Sequence, residues 1–407
     1  MAETLRPETP AQVAETVAWA AAEEAPLEIA GRGSKRDLGR PVQASHELDL
    51  SGLSGITLYE AEELVLTARA GTPLAEIEAA LAEHRQQLDF EPADLGPLLG
   101  GPPDAGSIGG ALACNLSGPR RIKAGAARDH FLGLSAVSGR GEVFKTGGRV
   151  VKNVTGYDLC KLLAGSHGTL AVMTEVTVKV MPGPEKTRTV LLYGLDDRTA
   201  LKAMTLALQS SHEVSGAAHL PDGPAATSQV SYVAEPGRAV TAIRVEGPGP
   251  SVEYRCAALR RELGALGQSE ELHGRNSAAL WRELRDVTPF VGDPERPVWR
   301  LSVPPQDGPA MADALADGQD SQYFFDWGGG LVWLCPSRWT EGAPDEVRAA
   351  VASCGGHATL IRAGRDVRAS VPVFQPQDPA LFALTRRVKE SFDPRRILNP
   401  GRMYAGV

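Results

Sequence analysis

The chain has 407 residues, a formal net charge of -8 and a pI near 5.6, and its acidic and basic residues are interspersed. Two domains are expected, because a single hydrophobic core rarely organises so long a chain. The charge balance argues against a nucleic-acid-binding protein, and no apolar run reaches the roughly 18 residues that a membrane span needs.

The cysteines and the N-terminus indicate the compartment. The five cysteines are scattered and no two form a C-x-x-C pair; they are Cys114, Cys160, Cys256, Cys335 and Cys354. Such spacing suits unpaired thiols in a reducing compartment and offers no ligand set for an iron–sulfur cluster within this chain. The N-terminus lacks the basic-then-apolar layout of a signal peptide. We therefore expect a cytoplasmic protein.

The N-terminal part predicts alternating helices and strands. Thr9 is a candidate N-cap, and Gln12 completes a capping box before the helical segment VAETVAWAAAEE. Short strands are expected at residues 27–30 and 64–68. The second strand leads into a helix, TPLAEIEAALAEH, for which Thr72 is the candidate N-cap.

The first of these strands runs into a tight turn, Gly31-Arg32-Gly33-Ser34-Lys35. Glycines permit positive φ, so successive N–H groups can converge on an anion, and Arg32 and Lys35 can neutralise phosphate charge. A glycine-rich β-turn with exposed basic residues would have a similar sequence. For this segment alone, that plainer interpretation is favoured.

The segment DAGSIGGALACNLSG, residues 104–118, is more specific, because it combines small residues and a Gly-Gly step with Asn115 and Ser117. Without Cβ atoms, main-chain N–H groups can approach a phosphate or a flat ring. Glycine also has a folding-entropy cost, so we favour ligand contact over a packed glycine-rich loop. Neither this segment nor the earlier turn has the spacing of G-x-G-x-x-G or G-x-x-x-x-G-K-[ST], so the two commonest nucleotide-binding motifs are absent.

The next segments predict a strand at 132–138 and a short helix at 157–164. Asn153, Thr155 and Asp158 are candidate caps at the start of that helix. By itself this region is expected to be structural.

A long strand is expected at 170–180, where apolar residues at even positions alternate with Glu175, Thr177 and Lys179. The alternation predicts one buried face and one solvent-exposed face. Pro182-Gly183-Pro184 follows as a linker and marks a domain boundary.

Short β runs and helical stretches alternate from about 189 to 359, and QVSYVA is among the expected strands. The lengths favour an α+β domain with an antiparallel sheet. Trp327-Gly328-Gly329-Gly330 is expected to form a hairpin turn. An amphipathic helix is expected at 379–392.

Basic side chains in this second region could bind a small acid. The candidates, beside Trp281 and Trp299, are Arg282, Arg285, Arg296 and Arg300. A solvated helix face and a strand edge explain these arginines equally well. The histidines are dispersed without an H-x-x-x-H or H-x-H pair, and His357 is favoured as a sheet or turn residue over a catalytic base.

In combination, the segments resemble the FAD-linked oxidases of the vanillyl-alcohol oxidase type, which include the subunits of bacterial glycolate oxidase. The resemblance covers about the first 182 and the last 30 residues and is carried by IAGRGSK, DAGSIGGALACNLSGPRR with GAARDHFLG, GGRVVKNVTGYDLCKLLAGSHGTLAVMTEVTVKVMP and FDPRRILNPGRM. It implies an α+β fold with a two-lobed PCMH-type FAD-binding domain over 1–182. A cap domain with an antiparallel sheet would span 183–375, and 376–407 would return to the FAD domain.

The resemblance also implies the cofactor-binding residues. The turn at 31–35 would hold the diphosphate, the glycine-rich segment would line the diphosphate and the isoalloxazine, and the later residues would offer backbone or lie near the flavin. The full candidate set is Gly31, Arg32, Gly33, Ser34, Lys35, Asp104, Gly106, Ser107, Ile108, Gly109, Gly110, Asn115, Ser117, Gly118, Gly168, Val172 and Asn399. The first loop ends in Ser34-Lys35 and lacks the histidine that links FAD covalently in some relatives, so non-covalent FAD is implied.

The family's hydroxy-acid dehydrogenases share a metal-binding segment, H-x-G-D-G-N-x-H, that has no counterpart here. No metal is therefore expected, and no catalytic residue is assigned.

The function implied is that of an FAD-dependent oxidoreductase acting on CH–OH groups. The chain would be the FAD-binding subunit of a complex that oxidises glycolate to glyoxylate, beside a catalytic FAD-linked subunit and an iron–sulfur subunit. Two alternatives stay open: a self-sufficient oxidoreductase for a small 2-hydroxy acid, and a flavin-free structural subunit. A cytoplasmic location is expected, with membrane association through partner subunits left open.

Overall fold

The structure is a computed structural model that describes residues 3–149, 156–316, 321–337, 339–340 and 342–407. The candidate caps Asn153 and Thr155 lie outside these residues. In the described part of the chain, no helix is long and apolar enough to cross a membrane.

The elements are numbered in chain order. The strands are β1 Glu3–Leu5, β2 Leu27–Ala30, β3 His46–Asp49, β4 Ile56–Glu60, β5 Val65–Arg69, β6 Gln86–Gln87, β7 Phe131–Ser138, β8 Val143–Gly147, β9 Ala171–Lys179, β10 Met181–Pro182, β11 Lys186–Tyr193, β12 Gly216–Leu220, β13 Val240–Gly247, β14 Ser269–His273, β15 Val298–Ser302, β16 Gln322–Asp326, β17 Leu331–Cys335 and β18 His357–Arg362. The helices are α1 Pro10–Ala22, α2 Leu74–Glu83, α3 Ile108–Ala113, α4 Arg121–Ala124, α5 Ala127–His130, α6 Leu159–Leu163, α7 Asp197–Gln209, α8 Asp222–Ala226, α9 Ser231–Ala234, α10 Gly249–Leu263, α11 Gly274–Arg285, α12 Gly308–Leu315, α13 Ala343–Ala352, α14 Arg365–Ser370 and α15 Pro379–Phe392.

The chain forms two compact units. Unit 1 comprises Met1–Ser117, Ala126–Gly183 and Arg365–Val407, and unit 2 comprises Gly118–Gly125 and Pro184–Gly364. These units differ from the predicted domains in three places: residues 118–125 pack with unit 2, residues 365–375 pack with unit 1, and the boundary in the linker falls one residue later, after Gly183.

The side chain of Arg368 shows why the second difference arises. The Arg368 guanidinium donates to Gly39 O at 3.0 Å and to an oxygen of Asp37 at 2.5 Å, and both partners belong to unit 1. These bonds anchor α14 beside the first loop of the chain.

Unit 1 contains a parallel sheet in the order β1-β3-β2 and an antiparallel sheet in the order β4-β5-β9-β7-β8. Its buried apolar residues form two clusters. One cluster joins α1 to β2, β3 and the tail at Ile397 and Leu398, and the other packs α2 and α3 against the larger sheet. The predicted helix at 10–22 is confirmed with its capping box, because Thr9 Oγ accepts from Gln12 N and the Gln12 amide oxygen accepts from Thr9 N.

Two local predictions in unit 1 are wrong. Thr72 does not cap α2, because its hydroxyl donates to Arg69 O at 2.7 Å and accepts from Gly55 N at 2.9 Å. The face of β9 that carries Thr177 is largely buried, because β9 lies between β5 and β7 in the middle of the sheet. Thr177 is 8% exposed, and its hydroxyl lies 2.9 Å from that of Thr67 on β5.

Unit 2 is built on an antiparallel sheet in the order β14-β11-β13-β12-β16-β17-β15-β18, so the predicted α+β class with an antiparallel sheet is confirmed. The segment QVSYVA, expected as a strand, instead contributes the helix α9. The predicted hairpin at 327–330 is confirmed, since it joins the antiparallel strands β16 and β17. His357 lies at the start of β18, as favoured from the sequence.

Candidate functional site

Unit 1 contains a pocket of about 740 Å³, part of it open to solvent. The end of β2 and the turn that follows form one wall, the N-terminus of α3 forms a second, and the start of β9 and the C-terminal tail complete it. The pocket is lined by Glu28, Ile29, Ala30, Gly31, Arg32, Gly33, Ser34, Lys35, Arg36, Leu50, Ala70, Ser107, Gly109, Gly110, Ala113, Cys114, His167, Gly168, Ala171, Met173, Asn399 and Arg402.

Glycine is required at two positions of this wall by close approach. A Cβ on Gly31 would overlap the hydroxyl of Ser107, which accepts from Gly110 N at 3.3 Å and so caps α3. Gly168 has a φ of +71°, and a Cβ there would lie 2.8 Å from Asn399 Nδ2. The absence of side chains at these points lets the turn, the start of α3 and the tail pack closely around the pocket.

Two basic side chains, Lys35 and Arg402, line the pocket. Lys35 Nζ donates to Ser34 Oγ at 3.1 Å, and Arg402 Nη2 donates to Lys35 O at 2.8 Å. Burial lowers the pKa of each group below its ordinary value. The negative charges of Asp94 near Lys35 and of Glu28 near Arg402 act in the opposite direction and raise these pKa values. Both groups therefore lie where their charged forms are less stable than in water.

The Nη1 atom of Arg402 is buried and has no hydrogen-bond acceptor among the described residues. Its nearest opposite charge is Glu28, at 3.5 Å. A buried guanidinium nitrogen without an acceptor costs free energy, so this atom would be stabilised by an anionic ligand in the pocket.

The C-terminal tail reaches the pocket through Asn399. Its side-chain oxygen accepts from Ile29 N at 2.8 Å, and its Nδ2 donates to His167 O at 2.8 Å. One side chain thereby joins β2 to the loop before β9, and this arrangement requires a φ of +42° at Asn399 itself. Asparagine tolerates this left-handed region better than most residues.

A buried ion pair holds the tail in position. Lys389 Nζ donates to Asp393 Oδ2, Thr169 O and Leu398 O at 2.7 to 2.8 Å, and Asp393 accepts from the backbone N–H groups of Ile397 and Leu398. Lys389 is 1% exposed and Asp393 is fully buried. The pair therefore positions the segment that carries Asn399 and Arg402.

Many of the predicted cofactor-binding residues line this pocket: Gly31, Arg32, Gly33, Ser34, Lys35, Ser107, Gly109, Gly110, Gly168 and Asn399. Gly106 lies just behind the wall, where its Cβ position is 3.6 Å from Lys35 Nζ. The pocket thus brings together the turn, the glycine-rich segment and the tail, which are far apart in the sequence.

The other predicted residues have different surroundings. Ile108 and Val172 are buried in the two hydrophobic clusters, and Asp104 N donates to Asp94 Oδ2 at 2.7 Å. The side chain of Asn115 accepts from Arg128 N at 3.0 Å, and that of Ser117 accepts from Ala127 N at 2.9 Å. Gly118 packs in unit 2.

The pocket lining also contains residues that were not predicted from the sequence, among them Arg402, Cys114 and His167. Arg402 follows Asn399 in the NPGR segment, and that neighbourhood was an available signal. Cys114 sits inside the glycine-rich segment, where burial raises the pKa of its thiol. His167 precedes Gly168, and burial together with the charge of Arg402 lowers its pKa to about 3, so its imidazole is neutral at physiological pH.

The four candidate arginines of the second region do not converge. Arg282 is exposed on α11, Arg285 pairs with Asp286 at 2.8 Å, and Arg296 donates to the carbonyls of Pro336 and Cys335 at 2.9 Å. Trp281 and Trp299 are buried. Arg300 lies apart from these three, on β15. Among the described residues, no three His, Cys, Asp or Glu side chains form a set that could hold a metal ion.

Two family models match the chain. Residues 2–147 match a model described as the FAD binding domain, and residues 372–403 match the C-terminal domain of FAD linked oxidases. The two matches contain the turn, the glycine-rich segment and the tail that meet in the pocket.

Characterised relatives extend the similarity over almost the whole chain. The chain is 35% identical to the glycolate oxidase subunit GlcE of Escherichia coli (strain K12), over 96% of each protein. It is 28% identical to the glycolate oxidase subunit GlcD of Bacillus subtilis (strain 168), over 75% of this chain and 70% of that protein. Among solved structures, the 4-ethylphenol oxidase of Gulosibacter chungangensis shares the fold, with a TM-score of 0.72 at 17% identity over 99% of this chain and 89% of that one.

Proposed function

This chain belongs to the FAD-linked oxidases, the family of the glycolate oxidase subunits, and on that premise we propose that it binds FAD non-covalently in the unit 1 pocket and takes part in oxidising glycolate to glyoxylate. The protein is an FAD-dependent oxidoreductase. The observation that carries the proposal is the meeting of the turn at 31–35, the start of α3 and the tail around one pocket.

The residues present fit the chemistry of FAD. The diphosphate carries negative charge, and the pocket offers the side chains of Lys35 and Arg402, whose Nη1 has no hydrogen-bond acceptor among the described residues. The close approach of Gly31 to Ser107 holds the turn at 31–35 against the start of α3, so that both segments line the same pocket. Bound FAD would accept a hydride from the carbon that carries the substrate hydroxyl, and the chain would bind and orient it.

The absence of a covalent link is part of the proposal. The pocket-lining turn ends in Ser34 and Lys35, and neither side chain is a histidine or cysteine that could attach to the flavin ring. His167 and Cys114 also line the pocket, so the link needs a direct test. Precipitation with acid should release all of the flavin into the supernatant, whereas flavin that stays with the precipitated chain would contradict this proposal.

We propose further that the chain works in a complex with a catalytic FAD-linked subunit and an iron–sulfur subunit, in the cytoplasm. The relatives support a complex because both are named as subunits of glycolate oxidase. The free thiols of all five cysteines are compatible with a reducing compartment. Copurification with the partner subunits from cells that produce all of them is the test of the assembly.

The role of the chain within the complex is tested with anaerobic glycolate. If the isolated chain carries FAD and glycolate bleaches it, the chain is self-sufficient. If bleaching requires the partner subunits, the chain is a cofactor-binding subunit of the complex. A chain that stays flavin-free after gentle purification and after addition of FAD would contradict the proposal and favour a structural subunit.

Lys35→Met provides a sharper test of the pocket. Loss of a charge-assisted contact to the diphosphate should weaken FAD binding at least tenfold, which corresponds to about 1.4 kcal/mol. Lys145→Met is the matched control, because Lys145 is exposed on β8 and should leave FAD affinity unchanged. Equal FAD affinity of the two variants, measured by titrating the apoprotein, would count against this pocket.

A further inference from the structure

Unit 2 contains a cationic cluster around the indole of Trp327, formed by Arg121 and Arg300. The guanidinium carbon of Arg121 lies 4.4 Å from the centre of the Trp327 ring, and that of Arg300 lies 5.0 Å from it. Both distances are within the range of cation–π contacts. Two arginines far apart in the sequence therefore share one aromatic ring.

The indole is firmly held. Trp327 Nε1 donates to Gly118 O at 3.1 Å, and Trp327 N donates to the Asp326 carboxylate at 2.7 Å. Trp327 adopts a φ of +52°, a left-handed conformation that is costly for a large side chain. The surrounding contacts maintain this conformation and fix the platform on which the two guanidinium groups lie.

Within the described part of the chain, the guanidinium of Arg300 contacts the Trp327 ring but has no ion pair with a carboxylate. Neighbouring Arg120 forms an ion pair with Glu246 at 2.7 Å, whereas no carboxylate or carbonyl of the described residues accepts a hydrogen bond from Arg300. Burial and the charge of Arg121 lower the pKa of Arg300 to about 10, and Asp326 opposes this shift. The group is still charged at neutral pH, so its hydrogen-bond donors are available to an anion.

The register of the sheet places further polar groups on the same face. Arg300 faces Thr359 across β15 and β18, and Ser302 faces His357 in the same pairing. Arg300 and Ser302 are two residues apart, so they point to one side of the sheet at a spacing of about 7 Å. Partial burial and the charges of Arg300 and Arg121 lower the pKa of His357, which therefore offers a neutral imidazole near neutral pH.

We propose that Arg300 and Arg121 bind the carboxylate of a small 2-hydroxy acid against Trp327, and that Ser302 and His357 are placed to contact its hydroxyl. The choice of a 2-hydroxy acid rests on the proposed function, whereas recognition of a carboxylate rests on the cluster alone. Guanidinium groups suit this role because their donors match the two oxygens of a carboxylate. Two guanidinium groups on one aromatic plane also place positive charge where a carboxylate would be attracted.

The test measures binding without turnover. Full-length protein is first reduced with dithionite, so that any bound flavin cannot accept a hydride, and is then titrated with glycolate in a calorimeter. Glycolamide, which keeps the hydroxyl and replaces the carboxylate with a neutral amide, is titrated in parallel. We expect glycolamide to bind at least tenfold more weakly than glycolate, which is about 1.4 kcal/mol.

Substitutions test whether glycolate binding depends on the Trp327 cluster. Arg300→Met should weaken glycolate binding at least tenfold, and Arg300→Lys should bind with intermediate affinity, because a point charge replaces the planar fork. Arg282→Met is the matched control, since Arg282 is exposed on α11, and it should bind glycolate like the unchanged protein. Circular dichroism and thermal unfolding show whether each variant is folded.

Three results would overturn the proposal: no glycolate binding by the unchanged protein, equal affinity for glycolate and glycolamide, or equal affinity of folded Arg300→Met and the unchanged protein. The glycolamide comparison requires no substitution, so the proposal stays testable even if Arg300→Met does not fold. FAD content is measured on the same samples. A flavin-free chain that binds glycolate through Arg300 would remove the proposed function and leave this site in place.

Discussion

The pocket of unit 1 and the Trp327 cluster of unit 2 are built in opposite ways. The pocket wall consists largely of backbone and small residues from contiguous segments, and its glycines are visible in the sequence. The Trp327 cluster consists of side chains from α4, β15, β18 and a hairpin, brought together by strand register. A surface made from backbone is therefore recognisable from composition, whereas a cluster of side chains is recognisable only after the strands are aligned.

The largest effect is expected from breaking the ion pair that holds the tail against the pocket. Lys389→Met leaves the carboxylate of Asp393 buried without its cation, so unfolding free energy should fall by about 3–5 kcal/mol. Because the tail carries Asn399 and Arg402, bound FAD should be lost at a lower denaturant concentration as well. Urea unfolding followed by circular dichroism and by flavin release measures both effects.

Two further variants check that reason. Arg386→Met removes an exposed pair with Glu390 on the same helix and should change stability by less than about 1 kcal/mol. The double substitution Lys389→Met and Asp393→Asn should be less destabilised than Lys389→Met alone, because no unpaired buried charge remains. A double variant as unstable as the single one would show that the lysine acts through packing rather than through charge.

A smaller effect is expected at the platform of unit 2. Trp327→Phe keeps an aromatic plane for the two arginines but removes the indole donor to Gly118 O, which still accepts from Arg121 N at 3.1 Å, so stability should fall by about 1.5 kcal/mol. Trp19→Phe is a control, because Trp19 is 42% exposed. If Trp327→Phe unfolds at the same urea concentration as the unchanged protein, the indole N–H does not hold the platform.

The smallest effect concerns pH. The folded protein keeps His167 neutral down to about pH 3, whereas the unfolded chain protonates it near its ordinary value of 6.5. As the pH falls below that value, the unfolded state gains a proton that the folded state does not, so stability falls. Between pH 7 and pH 5.5 this residue should account for a loss of about 1 kcal/mol.

His167→Asn should remove that part of the acid sensitivity, because asparagine does not titrate and tolerates the φ of +51° at this position. Urea unfolding of both proteins at the two pH values is the measurement. His84→Asn is a suitable control, because His84 is outside the pocket lining. An unchanged pH dependence in His167→Asn would mean that His167 is protonated in the folded protein.

Much of unit 1 was predictable from local patterns. The capping box of Thr9 and Gln12 marks α1 correctly, because the interactions of a helix end are local in sequence. The same reasoning was wrong for Thr72, whose hydroxyl bonds to Gly55 and Arg69 instead of capping the helix. Alternation in β9 likewise predicted a solvent-exposed face, but strands on both sides and packing on both faces bury it.

The candidate site shows the same contrast between residues predictable from local sequence and residues that depend on tertiary packing. Gly31 and Lys35 were predicted correctly as neighbours in a turn, and the pocket lining contains both. Arg402 and His167 were not predicted, since their position depends on how the tail and the loop before β9 pack. The four arginines considered as a carboxylate clamp, with a helix face and a strand edge as equal alternatives, proved to be scattered. Arg300 instead shares the Trp327 ring with Arg121, which lies 179 positions earlier in the chain.

By itself, the sequence determined the α+β class, the FAD-linked oxidase family and the glycine-rich wall, because composition, caps and turn residues act over a few neighbouring positions. Tertiary structure alone decided that His167 and Arg402 reach the pocket, and that Arg121 and Arg300 share Trp327. The physical reason is that long-range pairing depends on strand register and on the packing of the tail, and each of these is set by many weak contacts distributed over the whole unit.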